Sequence, residues 1–215
     1  MSHAIVLLVL VPLTGAFLIS LVPDRHEPLI RGGVATLAAL HCALVVRIVV
    51  DAAQLGGSFY RMGGWDAPLG IVLAADSLSG FFLIVLCFGH LAFLIHALGE
   101  ERGPRKAMWI LTELLIAALS GIVVAGDLFN LFVFLELASV SSVGLMIRKQ
   151  RAEGAGAGFV YLLYTSVSGV LYLIAVVLLY RSVGALSLHD LALRGHAMPV
   201  GTYRVVVVLF IASIG

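Results

Sequence analysis

Glu136 is a carboxylate nine residues after Asp127 in an otherwise apolar run, Gly126-Asp127-Leu128-Phe129-Asn130-Leu131-Phe132-Val133-Phe134-Leu135-Glu136-Leu137-Ala138-Ser139. On a helix rising about 1.5 Å per residue the two acids lie roughly 13 Å apart, so Glu136 falls near the middle of a hydrocarbon layer about 30 Å thick. An acid at that depth costs roughly 2.5–3.5 kcal/mol to insert, and must face protein or water, find a partner, or keep its proton. In a low dielectric a carboxyl holds its proton until a cation comes near, and gives it up when one does. That is the chemistry of a proton carrier. The alternative is a Glu136 that hydrogen-bonds to a neighbouring helix and only fixes packing.

Other polar side chains in apolar surroundings could support such a path. Ser139 follows Glu136 by three positions, which puts it on the same helical face, where a small hydroxyl either lets helices approach or hosts water. Asp127, with Asn130 three positions on, is placed to accept the free N–H groups of a first helical turn, which explains an acid there without transport. Asp76, with Ser79 following, reads the same way. His41 and His90 lie within apolar runs, and imidazole titrates near neutral pH; a backbone or serine partner is the other reading. His96 sits near a segment end. Glu113, about six residues into its segment, is expected to reach the interface or pair with a nearby Arg. Tyr164, among Tyr161, Thr165, Ser166 and Ser168, could line a hydrated entry or make interhelical hydrogen bonds.

The elements that must position these groups are membrane helices. Of the 215 residues 61% are hydrophobic and 12% charged, against about 25% charged in soluble domains, so the chain is an all-α integral membrane protein. A net charge of +1 leaves no basic face for nucleic acid. Cys42 and Cys87 lack metal-ligand spacing and read as small core residues. The 154–158 run Gly-Ala-Gly-Ala-Gly lacks the Gly-Lys-Ser/Thr ending of a phosphate loop and reads as a flexible helix entry. No cysteine cluster, nucleotide loop or haem-type histidine pair supports redox chemistry, so no cofactor and no metal is expected in this chain. His189, Asp190 and His196 give too few ligands for a metal site.

About seven spanning segments are expected, at 4–22, 29–50, 76–98, 107–125, 128–147, 158–180 and 203–215. The last, rising only about 20 Å, reads as a helix in which the chain stops. The first is too long for a signal h-region and lacks a basic n-region. Basic residues concentrate in three loops, as Arg25, Arg31, Arg102, Arg105, Lys106, Arg148, Lys149 and Arg151, while Arg61, Arg181, Arg194 and Arg204 lie opposite, with Arg47 near that same side. That bias predicts an outside N-terminus, with the 99–106 and 148–157 loops cytoplasmic. The outer loop 51–75, with its glycines, Pro68 and interfacial Trp65, reads as an ordered cap. Residues 1–98 are expected to form three helices with this loop, and 99–215 the remaining ones.

The run from Gly126 to Glu136 closely resembles the fifth-helix motif of antiporter-like, proton-conducting membrane subunits, found in Mrp cation/proton antiporters, membrane-bound hydrogenases and respiratory complex I. Gly63-Gly64-Trp65, Pro68, Gly70-Ile71, Asp76 and Leu78-Ser79 agree with it, as do Tyr161-Leu162-Leu163 through Gly184-Ala185-Leu186 and Leu191, so that residues from about 60 to 192 are covered; the version here looks closest to the Mrp D-type and hydrogenase branches. The resemblance implies two inverted five-helix repeats, this chain holding an N-terminal portion with most of the first. It implies that Glu136 is the glutamate whose ion pair with a seventh-helix lysine drives proton movement. The lysine is expected just beyond Ile214-Gly215, and Phe159 and Val160 stand where relatives have a basic residue before Tyr161. It further implies other membrane subunits, the lipid bilayer and protons as partners, with Na⁺ a second candidate ion, in a bacterial or archaeal cell membrane. Catalysis would belong to a complex, such as an NADH:quinone oxidoreductase or hydrogenase, of which this is one subunit. A subunit that scaffolds its neighbours without conducting, or the membrane arm of a quinone-linked oxidoreductase, are the rival readings.

Overall fold

A computed structural model describes residues 3–64, 70–100, 104–147, 152–195 and 198–214. Six of the described helices are long and apolar enough to cross a membrane, and a seventh apolar helix is shorter. Large apolar side chains such as Phe17, Phe88, Val140 and Val177 point outward, as a bilayer solvent requires. The chain divides into two compact units, Met1–Tyr60 with Ala74–Val124 and Arg61–Leu73 with Ala125–Gly215.

The first unit holds α1 (Ala4–Leu21), α2 (Glu27–Leu55), α3 (Ser77–Gly99) and α4 (Lys106–Val124). Helix α1 packs on α2 and α4, α2 on α3, and α3 on α4. On α1, Gly15 has no side chain to keep Leu37 of α2 away, so the two helices close up there. Trp109 anchors a buried cluster with Ile19, Ile30, Val34, Ala38, Leu94 and Ala97, and Phe93 meets its ring edge-on at 5.8 Å. Helix α4, expected with the later helices, therefore packs with α1 and α3. Lys106 Nζ donates to the α1-terminal carbonyls of Ser20 (3.3 Å) and Val22 (3.0 Å) and pairs with Asp24 at 3.0 Å.

Helix α2 runs five residues past the expected end. Asp51-Ala52-Ala53-Gln54-Leu55 continues the helical pattern until Gly56, at φ 72°, closes it in a left-handed conformation that only glycine adopts freely. Asp51 is thus a buried helix residue, 3.1 Å from Arg47 one turn back, instead of the first loop residue. Nor is the rest of the loop all irregular: β1 (Ser58–Arg61) and β2 (Val72–Ala75) pair into a two-stranded ribbon, with left-handed Gly63 and Gly64 in the turn after β1. Trp65 and Pro68 lie outside the described residues, as do Arg102, Arg148, Lys149, Arg151 and His196.

The second unit holds α5 (Leu128–Met146), α6 (Ala152–Val183), the short α7 (Leu188–Arg194) and α8 (Val200–Ala212). Helix α6 packs between α5 and α8, with Ala175, Leu179 and Val206 at its buried centre. The 154–158 run, expected as a flexible entry, is helical. Its bare Gly158 lies so close to Ile147 that a Cβ would stand 2.7 Å from Cγ1, so small residues here serve close helix packing, not flexibility. Gly184, at φ 73°, ends α6, and Ser187 caps α7, a helix the loop reading missed.

Candidate functional site

In the second unit Asp127 starts α5. Its Oδ1 accepts from Asn130 N at 2.7 Å and its Oδ2 from Val72 N at 3.3 Å, while the backbone on either side bonds to the strand-like segment before α7, Leu128 N to Leu186 O at 3.1 Å and Leu188 N to Gly126 O at 2.9 Å. Asp127 is therefore a buried N-cap that ties three segments together. Burial pushes its carboxyl above the usual carboxylate range, opposed by the N–H groups of Asn130 and Val72. Gly126 N donates to Val72 O at 2.9 Å, and a Cβ on Gly126 would sit 2.8 Å from that oxygen, so the motif's glycine is a requirement of close backbone approach.

Two and a half turns further along α5, the half-buried Glu136 lies across α6 at Gly169. A Cβ on Gly169 would come within 3.3 Å of Glu136 Cδ and of Phe132 Cε2, and would run into Oε1. The carboxylate occupies the groove that a missing side chain leaves in α6. Among the described residues it has no hydrogen-bond or ion-pair partner. Ser139 is half-buried one turn on, and Ser141 is buried with its Oγ unpartnered. Below them, Tyr172 donates to Leu128 O at 3.1 Å, with its ring stacked on Phe132 at 5.9 Å and edge-on to Phe210 at 5.2 Å. Asn130 Nδ2 is a buried donor without a partner, at a residue whose spacing from Asp127 accounts only for capping. Tyr164 is not gathered here; it is 69% exposed on α6, and Thr165 is bonded back to Leu162 O of its own helix.

In the first unit three further candidates come together. Glu113 is fully buried, and its Oε1 lies 3.2 Å from His90 Nε2; it reaches neither the interface nor an arginine. Counted from the turn joining α3 to α4, Glu113 is seven residues from Lys106 and His90 nine from Gly99, so both sit about 10–14 Å deep and face each other. That shared depth was the available signal. His41 Nε2 is 3.0 Å from Ser120 Oγ, and the His41 and His90 rings meet edge-on at 5.6 Å. His96 instead pairs with Glu100 at 3.4 Å near the end of α3. Cys42 and Cys87 are free and half-buried. Asp76 caps α3, accepting from Ser79 N at 2.8 Å, and that N–H holds its carboxyl below the usual range. Among the described residues no three His, Cys, Asp or Glu side chains group as metal ligands.

The second unit thus presents a capped α5 carrying a carboxylate laid on α6. Residues 125–214 match the family described as NADH:quinone oxidoreductase/Mrp antiporter, TM, and this bears out the resemblance carried by the Gly126–Glu136 run. The chain is 32% identical to the D subunit of a probable K(+)/H(+) antiporter of Rhizobium meliloti (strain 1021), over 90% of this chain and 37% of that one. It superposes on a chain of the membrane-bound sulfane sulfur reductase, an archaeal respiratory membrane complex, with a TM-score of 0.89 and 25% identity, covering 99% of this chain and 44% of the other. Against the Mrp complex of Dietzia sp. DQ12-45-1b the TM-score is 0.77 at 24% identity, over 100% of this chain and 41% of that one, a likeness of fold. The chain thus spans about two fifths of the length of these relatives. It is a multi-pass membrane protein whose structural neighbours are subunits of multisubunit membrane complexes.

Proposed function

We propose that this chain forms part of a proton-translocating, antiporter-like subunit of a multisubunit membrane complex, and that Glu136 is the carboxylate that gives up and regains the proton. The observation that carries the reading is the placement of Glu136 at mid-depth in α5, turned onto the bare Gly169 of α6 and held by no fixed donor among the described residues. A carboxylate fixed in a packing role would be bonded, because an unpaired buried polar group costs about 1–3 kcal/mol. One left open responds to any cation that approaches it, and a cation withdrawn returns it to the protonated form. Ser139 and Ser141 offer hydroxyls along the same helix for water to bridge.

The basic clusters around Arg25, Arg31, Arg105 and Lys106 support an N-terminus on the outer side of the cell membrane. The test is Glu136→Gln in the full-length protein within its complex, reconstituted in vesicles and read as cation-coupled pH change. A fall of about tenfold or more is expected. Assembly with unchanged transport would instead leave the chain a scaffold for its neighbours.

A further inference from the structure

The buried polar groups of the first unit have no part in the Glu136 reading, and they form a site of their own. Glu113, His90, His41 and Ser120 come from three helices, and none is more than 1% exposed. They make a chain of contacts, Glu113 Oε1 to His90 Nε2 at 3.2 Å, ring to ring at 5.6 Å, and His41 Nε2 to Ser120 Oγ at 3.0 Å. Three of its atoms, Glu113 Oε2, His90 Nδ1 and His41 Nδ1, are buried without any hydrogen-bond partner.

We propose that this cluster is a second proton-binding site, one that holds a single exchangeable proton shared among Glu113, His90 and His41. The balance of charge leads there. With Glu113 protonated and both imidazoles neutral the cluster is uncharged; with Glu113 ionised and either imidazole protonated it is uncharged again. These three forms differ only in where one proton sits. Passing it from the Glu113 carboxyl to His90 Nε2 breaks one O–H bond, forms one N–H bond and brings no net charge into the low-dielectric interior. Losing that proton outright, or gaining a second, does bring one, and burial opposes it. The unpartnered atoms keep the site from being a closed, static pair. Each is a hydrogen-bonding position that the protein itself leaves unfilled.

No other acidic, basic or imidazole side chain competes at this depth among the described residues. Helix α1, packed on α2 and α4, carries no acidic, basic or imidazole side chain. On α2, Arg47 and Asp51 pair with each other about two to three turns beyond His41. His96 of α3 pairs with Glu100, and Lys106 of α4 with Asp24, both towards the helix ends. The remaining neighbours are the thiols Cys42, adjacent to His41, and Cys87, one turn before His90.

The test is solid-state NMR of the full-length protein in lipid vesicles, with ¹⁵N-labelled histidine and carboxyl-¹³C-labelled glutamate, recorded at fixed neutral pH over a range of temperatures, which shifts the position of a shared proton without adding or removing one. Glu113→Gln, His90→Gln and His41→Gln serve for assignment. The expected result is a carboxyl signal that changes between protonated and ionised forms while an imidazole signal changes in the opposite sense. This linked change persists in Glu136→Gln and disappears in Glu113→Gln. A carboxyl and two imidazoles each locked in one form throughout, in the unmutated protein, would overturn the proposal, as would a linked change untouched by Glu113→Gln. Because Glu136→Gln is a separate arm, failure here leaves the Glu136 reading standing, and the reverse also holds.

Discussion

The carboxylate of Glu136 on α5 lies against the backbone of Gly169 on α6, where any Cβ would collide with it. A position that looks like a generic small residue in an apolar helix is thus the seat of the one acid in the middle of α5. Gly169→Ala must displace either the carboxylate or the helix. Overpacking of this kind costs about 1–3 kcal/mol. The expected outcome is a transport rate reduced about tenfold in complexes that still assemble, and Gly158→Ala, whose nearest neighbours are the apolar Ile147 and Val143, serves as the packing control without that loss.

Asp127 gives two distinguishable variants. Asn keeps an oxygen for Asn130 N, whereas Ala removes it and with it about 1 kcal/mol of capping stabilisation. Thermal unfolding of the detergent-solubilised complex is expected to drop clearly for Asp127→Ala and little for Asp127→Asn. Transport that survives Asp127→Asn assigns the residue to structure; transport lost there while the unfolding temperature holds would move it into the proton path.

The two capping acids are expected to respond to pH in opposite senses. Burial raises the Asp127 carboxyl above its unfolded value, so its contribution to stability is present below the ordinary carboxylate range and fades as pH rises through the raised value. The Ser79 N–H lowers that of Asp76, so its contribution is present above the ordinary range and is lost as pH falls through the lowered value. Comparing unfolding midpoints against pH for Asp127→Asn and Asp76→Asn checks both signs, with the smaller effect at the exposed Asp76.

Gly126→Ala is expected to weaken the second unit by about 1–3 kcal/mol, because the added methyl would lie 2.8 Å from Val72 O and the Gly126 N to Val72 O bond would have to open. Loss of folded yield on expression, with partial rescue at lower temperature, is the readout. A variant as stable as the parent would mean that β2 and the start of α5 are not held at this distance.

Spanning helices were legible because length and composition alone dictate them, and so was the Asp-to-Asn spacing at the head of α5, a local pattern complete within four residues. What one stretch of sequence does not carry is the partner across a helix interface. Glu113 reads as shallow when its depth is counted on α4 alone; only His90, at the same depth on α3, shows why an acid is kept there. Gly169 gives no signal at all until α6 is laid beside α5. The 154–158 run looks like a linker because glycine weakens isolated helices, yet packing against the end of α5 overrides that propensity. The extension of α2 to Leu55 and the short α7 went unseen for a related reason, since their ends are set by Gly56 and Ser187 rather than by hydropathy.

The central claim is that Glu136 changes its protonation during turnover. Infrared difference spectroscopy of the full-length complex in vesicles, recorded as a transmembrane pH gradient is applied and collapsed, reads the carboxyl C=O stretch directly. The account predicts a reversible carboxyl band that is lost in Glu136→Gln and kept in Glu113→Gln, distinct from any band of Glu113, which persists in Glu136→Gln; a difference spectrum identical in wild type and Glu136→Gln would contradict it.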